Sequence, residues 1–222
     1  MFKKLMSEKK QLKLIRKDMD NIKKIENPTE KVQLEALDYS EHYIRYIKNP
    51  TEKAQMCAIN YLAGYIEYID NPTIKAQKKA IRLEPNAIIC IENPDLEVQL
   101  MAVRMDASTI KYIDNPCEEV QLIAVTMDSN VIRYINNPSE KVQLTAVKKN
   151  GESIQYIYEP SVKVKIESIK QRCTSIYDIK DTNEDTLHLK LKSIIDSEDL
   201  PQDEKNELLK YYEELFDIDI KE

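Results

Sequence analysis

The stretch Asn27-Pro28-Thr29-Glu30-Lys31-Val32-Gln33-Leu34-Glu35-Ala36-Leu37-Asp38-Tyr39-Ser40, closed by Ile44-Arg45-Tyr46-Ile47-Lys48-Asn49-Pro50, decides the fold. Asn-Pro returns at Asn49, Asn71, Asn93, Asn115 and Asn137, with Glu159-Pro160 at the next position, always 22 residues on. A fixed period of that length marks a solenoid, in which each unit packs on its neighbours. Frames begin at Ser7, Thr29, Thr51, Thr73, Asp95, Cys117, Ser139 and, in decayed form, Ser161. The repeat array is assigned to residues 1–182 and an acidic C-terminal helical cap to residues 183–222.

Each frame is expected to hold two short helices. Asn27 reads as an N-cap, Pro28 as the first helical residue and Glu30 as the third, and the motif recurs at Asn49, Asn71 and Asn137. About ten residues carrying Val32, Leu34, Ala36 and Leu37 follow. A second start falls at Asp18, Ser40, Asp106, Asp128 and Asn150, with Pro85 just inside it in the fourth frame. The helix it opens ends near Ile47, and some copies are expected to be 3₁₀. No room is left for a strand, so the fold class is an all-α solenoid of about eight two-helix repeats.

At 100° per residue, Gln33 falls in the middle of the apolar arc, as do Gln11, Gln55, Gln77, Gln99, Gln121 and Gln143. A buried amide needs partners, so these side chains are expected to bond backbone groups of a neighbouring turn or repeat. On the second helix the pairs from Ile44/Ile47 to Ile154/Ile157 form the inward stripe. Tyr46, Tyr68, Tyr112, Tyr134 and Tyr156 stand at its edge, thickened by Tyr43 and Tyr65. The fourth frame is irregular: Ile74 takes a glutamate position, Lys78 a leucine position and Cys90 a tyrosine position, so a bend or looser packing is expected there.

The pattern Asn-Pro-Ser-Glu-Lys-Val-Gln-Leu-x-Ala-Val, clearest from Asn137 to Val147, resembles a short helical repeat of bacterial and bacteriophage proteins. It is similar in appearance to leucine-rich-variant and HEAT-like repeats. The resemblance covers residues 7–182 and implies paired short helices stacked into a curved array. The cysteine cluster that goes with an iron–sulfur centre in the leucine-rich-variant type has no counterpart here.

Chemistry finds little support. With 2 Gly the chain cannot build a glycine-rich phosphate loop. Cys57, Cys90, Cys117 and Cys173 occupy different frame positions, indicating neither a zinc site nor a disulfide framework. His42 and His188 are the only histidines, and a Cys57/His42 nucleophile would lack an orienting third group. Asp196 to Asp203 lacks the central glycine and closing glutamate of a calcium loop. No catalytic residue, cofactor or metal is assigned.

Residues 1–26 hold 9 basic and 4 acidic residues and residues 183–222 hold 5 basic and 13 acidic, which leaves the array between them at −3. A near-neutral array argues against a nucleic-acid groove, although the basic N-terminal segment keeps that as the alternative function. The oppositely charged ends are candidates for self-association. No apolar run suits a signal peptide or a membrane span, so the expected location is the cytoplasm. The expected function is a non-catalytic protein-binding scaffold, and the resemblance implies a phage-type inhibitor or adaptor that grips a host or defence protein. Its candidate partner-binding residues are Met101 and Ile123, expected on the watery side of the first helix, with Ile89, Tyr112, Tyr134 and Tyr156.

Overall fold

The computed structural model describes residues 6–171, 192, 194–196 and 201–216. Cys173, His188 and half of the expected cap over residues 183–222 lie outside them. The chain forms two compact units, residues 1–113 and 114–222, so the division falls inside the repeat array. In the first unit the elements are α1 (Glu8–Lys17), η1 (Met19–Lys24), α2 (Glu30–Tyr39), η2 (Glu41–Tyr46), α3 (Glu52–Tyr61), η3 (Ala63–Tyr68), α4 (Ile74–Leu83), η4 (Pro85–Cys90), α5 (Leu96–Met105) and η5 (Ala107–Tyr112). The second holds α6 (Glu118–Met127), η6 (Ser129–Tyr134), α7 (Glu140–Lys149), η7 (Gly151–Tyr156), α8 (Val162–Gln171) and a C-terminal helix, Gln202–Phe216. There is no strand among the described residues.

Each of the seven repeats described throughout is an α-helix followed by a 3₁₀ helix, so all seven described second helices are 3₁₀ rather than only some. Six residues lie between an extended N-cap such as Ser40 (φ −163°) and an extended C-cap such as Ile47 (φ −101°). That span is too short to repay α-nucleation, so i→i+3 bonds close it, as Ile47 N–H donates to Ile44 C=O at 3.0 Å. Three residues per turn put i and i+3 on one face, which is why both isoleucines of Ile44-x-x-Ile47 are buried. Val32, Ala36 and Leu37 complete the core of that repeat, and an alanine is fully buried at positions 36, 58, 80, 102, 124 and 146.

The α-helices begin two residues later than the Asn-Pro motif suggests. Thr29 is the N-cap and Glu30 the first helical residue, and Thr51, Thr73, Asp95, Cys117 and Ser139 do the same in later repeats. The reason lies in the glutamines. In the first unit Gln33 Nε2 donates to Pro28 C=O (2.9 Å) and Asn49 C=O (3.3 Å), while its Oε1 accepts from Thr51 N–H (2.8 Å). Gln11, Gln55 and Gln77 likewise donate to the carbonyl five residues before them and accept from Thr29, Thr73 and Asp95, 18 residues after them. The Asn-Pro-Thr segment is therefore held extended by the amide ladder, and the helix starts only after it.

The second unit uses the same sequence signal with a different turn. Asn115, Asn137 and Glu159 have φ near +49° (49, 49 and 48°), and no other described non-glycine residue has a positive φ. Gln121 and Gln143 still donate to Pro116 and Pro138 C=O, but Gln143 Oε1 is buried without a partner. Asparagine tolerates this left-handed region, whereas glutamate is an uncommon occupant. Glu159→Asn should therefore raise the stability of the chain by a few tenths to about 1 kcal/mol. A denaturant midpoint that falls on substitution would show that the Glu159 side chain has a favourable role there.

In the C-terminal helix Leu208 and Tyr212, spaced i, i+4 on one face, are buried. Lys170 of α8 pairs with its Glu207, tying the two helices together.

Ion pairs link successive repeats on the outer surface. Arg16 meets Glu35 at 2.6 Å, and Lys53 meets Glu30 at 2.7 Å. Hydrogen bonds from these cations hold both carboxyls below the usual carboxylate range. Carboxyls depressed in the folded state stabilise it fully above their unfolded pKa, near 4.3, and that contribution is lost as pH falls through the lower folded value. Melting temperature should thus be flat down to about pH 5 and decline below about pH 4.5, more shallowly in a Glu30→Gln/Glu35→Gln variant. Equal acid-side slopes in the two proteins would mean that these pairs contribute nothing.

Candidate functional site

The residues singled out from sequence occupy different environments. Met101 and Ile123 are half-buried rather than exposed, and so are Glu35, Cys57, Lys79 and Thr145 of the same column. In the first unit Glu35 of this column faces the preceding α-helix, where it pairs with Arg16. Met101 belongs to the first unit and Ile123 to the second. Ile89 is 61% exposed, whereas Tyr112 and Tyr156 are half-buried and Tyr134 is only just exposed. Their rings carry cations: Lys111 Nζ lies 4.7 Å from the Tyr112 centroid, and the Arg133 guanidinium lies 4.8 Å from that of Tyr134 and 5.6 Å from that of Tyr156.

A surface that the helical-wheel argument passes over is the last residue of each α-helix. In the first unit it is Tyr39, Tyr61, Leu83 and Met105, exposed by 71, 68, 48 and 49%. Four successive repeats thus present a large apolar side chain at the α-to-3₁₀ corner, where a solvated turn would carry a polar one. The first repeat carries Lys17 there. In the second unit the same position holds exposed Met127 and then Lys149, whose Nζ donates to Met127 C=O (2.9 Å) at the α6 C-terminus.

From this ridge a strip of rings crosses the second and third repeats. Tyr39 lies 6.2 Å from Tyr43, and Tyr43 6.2 Å from Tyr46. One repeat on, Tyr61 stacks on Tyr65 at 6.2 Å with 12° between planes, and Tyr65 lies 6.1 Å from Tyr68. The i, i+3 eclipse of the 3₁₀ helix aligns Tyr43 with Tyr46 and Tyr65 with Tyr68. Position 43 holds small buried residues in the next two repeats, Ala87 and Thr109, so the strip is peculiar to repeats two and three of this unit. Tyr43 Oη donates to Asp20 (3.0 Å), Arg45 Nη2 to Tyr68 Oη (3.3 Å), and the exposed His42 ring meets Tyr65 edge-on at 6.4 Å.

Groups suited to catalysis are few. Burial, helped by Glu41 and Asp38, pushes the half-buried Cys57 thiol up, which keeps it protonated and a weak nucleophile at neutral pH. Among the described residues no three His, Cys, Asp or Glu converge closely enough to hold a metal ion, and no helix is long and apolar enough to cross a membrane.

No family model, curated protein or solved structure matches the chain. The class is therefore defined by the structure alone: an all-α protein of stacked α/3₁₀ repeats with an exposed apolar ridge on its first unit.

Proposed function

We propose that the chain is a non-catalytic protein-binding scaffold, acting in the cytoplasm, whose contact surface is the Tyr39–Tyr61–Leu83–Met105 ridge with its flanking ring strip. The supporting observation is the exposure of a large apolar side chain at one frame position through four successive repeats. A row of exposed large apolar side chains repeated at one frame position marks a surface suited to a partner. Tyrosine and methionine are well suited to such a contact, since the ring gives a large area and a polar tip, and the thioether adapts its shape. The three described cysteines, Cys57, Cys90 and Cys117, are unpaired, in keeping with a reducing compartment. A phage-type inhibitor or adaptor that grips a host or defence protein is the narrower form of this reading.

The alternative is a nucleic-acid binder, and one observation favours it. Lys9, Lys10, Lys13 and Lys17, with Leu12, Leu14 and the Glu35-paired Arg16, line a groove of about 720 Å³ on α1. Farther along, Lys53, Lys75 and Lys78 are tied to Glu30, Glu52 and Glu97, which neutralises three of the five cations of the third and fourth repeats. A salt titration of capture from a lysate of the source cells, with and without nuclease, separates the two readings. Apolar protein contacts should hold from about 50 to 200 mM salt, whereas six or more phosphate contacts would lose about a thousandfold. A steep salt slope with nuclease sensitivity would replace the scaffold reading by the alternative.

A further inference from the structure

The outer face of the 3₁₀ helices in the first unit carries a ladder of cations on tyrosine rings. Lys23 Nζ lies 4.5 Å from the Tyr46 centroid, and the Arg45 guanidinium lies 4.7 Å from that of Tyr68. In both rungs the cation of one repeat covers the ring of the next. The following rung would join positions 67 and 90, and both partners are changed, to Glu67 and Cys90. Ring and cation are missing together.

A cavity of about 290 Å³ opens at this vacancy, with Glu67, Asp70 and Glu92 in its wall, Cys90 beside them, and no lysine or arginine. Its surroundings are as distinctive. Ile74 and Leu96, two and three residues beyond the lining segments, are exposed first residues of α4 and α5, where the first three repeats have Glu8, Glu30 and Glu52. Ile89, beside Cys90 in the chain, is exposed too. Three exposed apolar residues therefore stand within three positions of the lining segments in the chain.

Size, charge and chemistry together define an occupant. The volume falls just under the roughly 300 to 1,000 Å³ of small-molecule sites and suits one long side chain. Three carboxylates call for a cation and would repel phosphates, and no three ligating groups converge here on a metal. Burial, followed by Glu67 and Glu84, pushes the Cys90 thiol up, so it adds no anion of its own. A guanidinium offers a planar fork for carboxylate oxygens on a stem that packs against apolar neighbours, and one repeat earlier the ladder position is occupied by Arg45.

We propose that the vacancy between the third and fourth repeats is a socket for an arginine side chain of a protein partner, its guanidinium held by Glu67, Asp70 and Glu92 and its flanking residues by Ile74, Ile89 and Leu96. The socket lies at the 3₁₀-to-α junction, whereas the ridge lies at the α-to-3₁₀ corner, so either surface can fail its test while the other stands.

The test is an amide-shift titration of the full chain by NMR with N-acetyl-arginine amide, with N-acetyl-lysine amide as comparison. Saturable shifts confined to residues 67–72 and 90–93 are expected, with arginine tighter than lysine by about fivefold or more. Glu67→Gln should weaken binding by a similar factor. Cys90→Tyr, which restores the missing ring, should abolish it without lowering the melting temperature. If Cys90→Tyr does not fold, Glu67→Lys, which restores the cation, serves in its place with the same expected loss. Absent or dispersed shifts, equal affinity for lysine and arginine, or binding that survives the filled socket would each overturn the assignment.

Discussion

Gln33→Ala should lower the stability of the chain by about 2 to 4 kcal/mol, the largest effect expected of any substitution outside the apolar core. The side chain meets three backbone groups, Pro28 C=O, Asn49 C=O and Thr51 N–H, and both it and Pro28 are buried. Removing the amide leaves these groups without partners in a place that water does not readily reach, at about 1 to 3 kcal/mol for each one orphaned. Gln33→Glu should also destabilise at neutral pH, because a carboxylate cannot donate to the two carbonyls. Gln143→Ala is the internal comparison: its Oε1 already lacks a partner, so the loss should be nearer 1 kcal/mol. Urea midpoints of the three variants measure this order. Equal losses at positions 33 and 143 would mean that the second arm of the ladder carries no stability.

Tyr39→Asp combined with Tyr61→Asp should reduce partner capture a hundredfold or more, on the order of 3 kcal/mol, while leaving the melting temperature within a few degrees of the unmodified chain. The asymmetry follows from exposure. Both side chains are more than two-thirds exposed, so the fold has little to lose, whereas a partner that covers them would have to bury two unpaired carboxylates. Charge substitution at Met101 or Ile123 should behave differently. Those side chains are half-buried, and an aspartate there would lower stability directly. Capture that survives the tyrosine double variant but is lost with Met101→Asp would return the contact surface to the residues singled out from sequence.

The architecture is legible because the 22-residue period and the hydrophobic spacing recur together along the array. Asp18, Asp106, Asp128 and Asn150 cap the second helices, and the Ile-x-x-Ile pairs are buried, both as the spacing predicts. The α-helix start is misplaced by local reasoning because Pro after Asn fits a first helical turn equally well in isolation. In the first unit that segment is tied by amide bonds from glutamines 5 residues ahead and 18 residues behind, which no local pattern reveals. Asn93 and Asn115 look alike in sequence, yet only Asn115 takes a positive φ, and no local signal distinguishes them. The ridge has a signal that a helical wheel obscures. Tyr39, Tyr61, Leu83, Met105 and Met127 share one frame position, but that position closes the helix, where the turn residues Asp38 and Ser40 mark the neighbourhood as polar. The socket is half legible: Cys90 visibly breaks the tyrosine series, but the loss of a cation at Glu67 acquires meaning only once Arg45 is known to lie on the ring of the next repeat.

Photo-crosslinking tests the scaffold reading most directly. The photoreactive residue p-benzoylphenylalanine is placed at position 61 on the ridge and, separately, at position 53, where the Lys53 side chain is 73% exposed at the opposite end of the same helix. On irradiation in the source cells, position 61 should give one discrete protein adduct and position 53 none. No adduct at position 61, or the same adducts at both positions, would contradict the assignment of the Tyr39–Met105 ridge as a protein-binding surface.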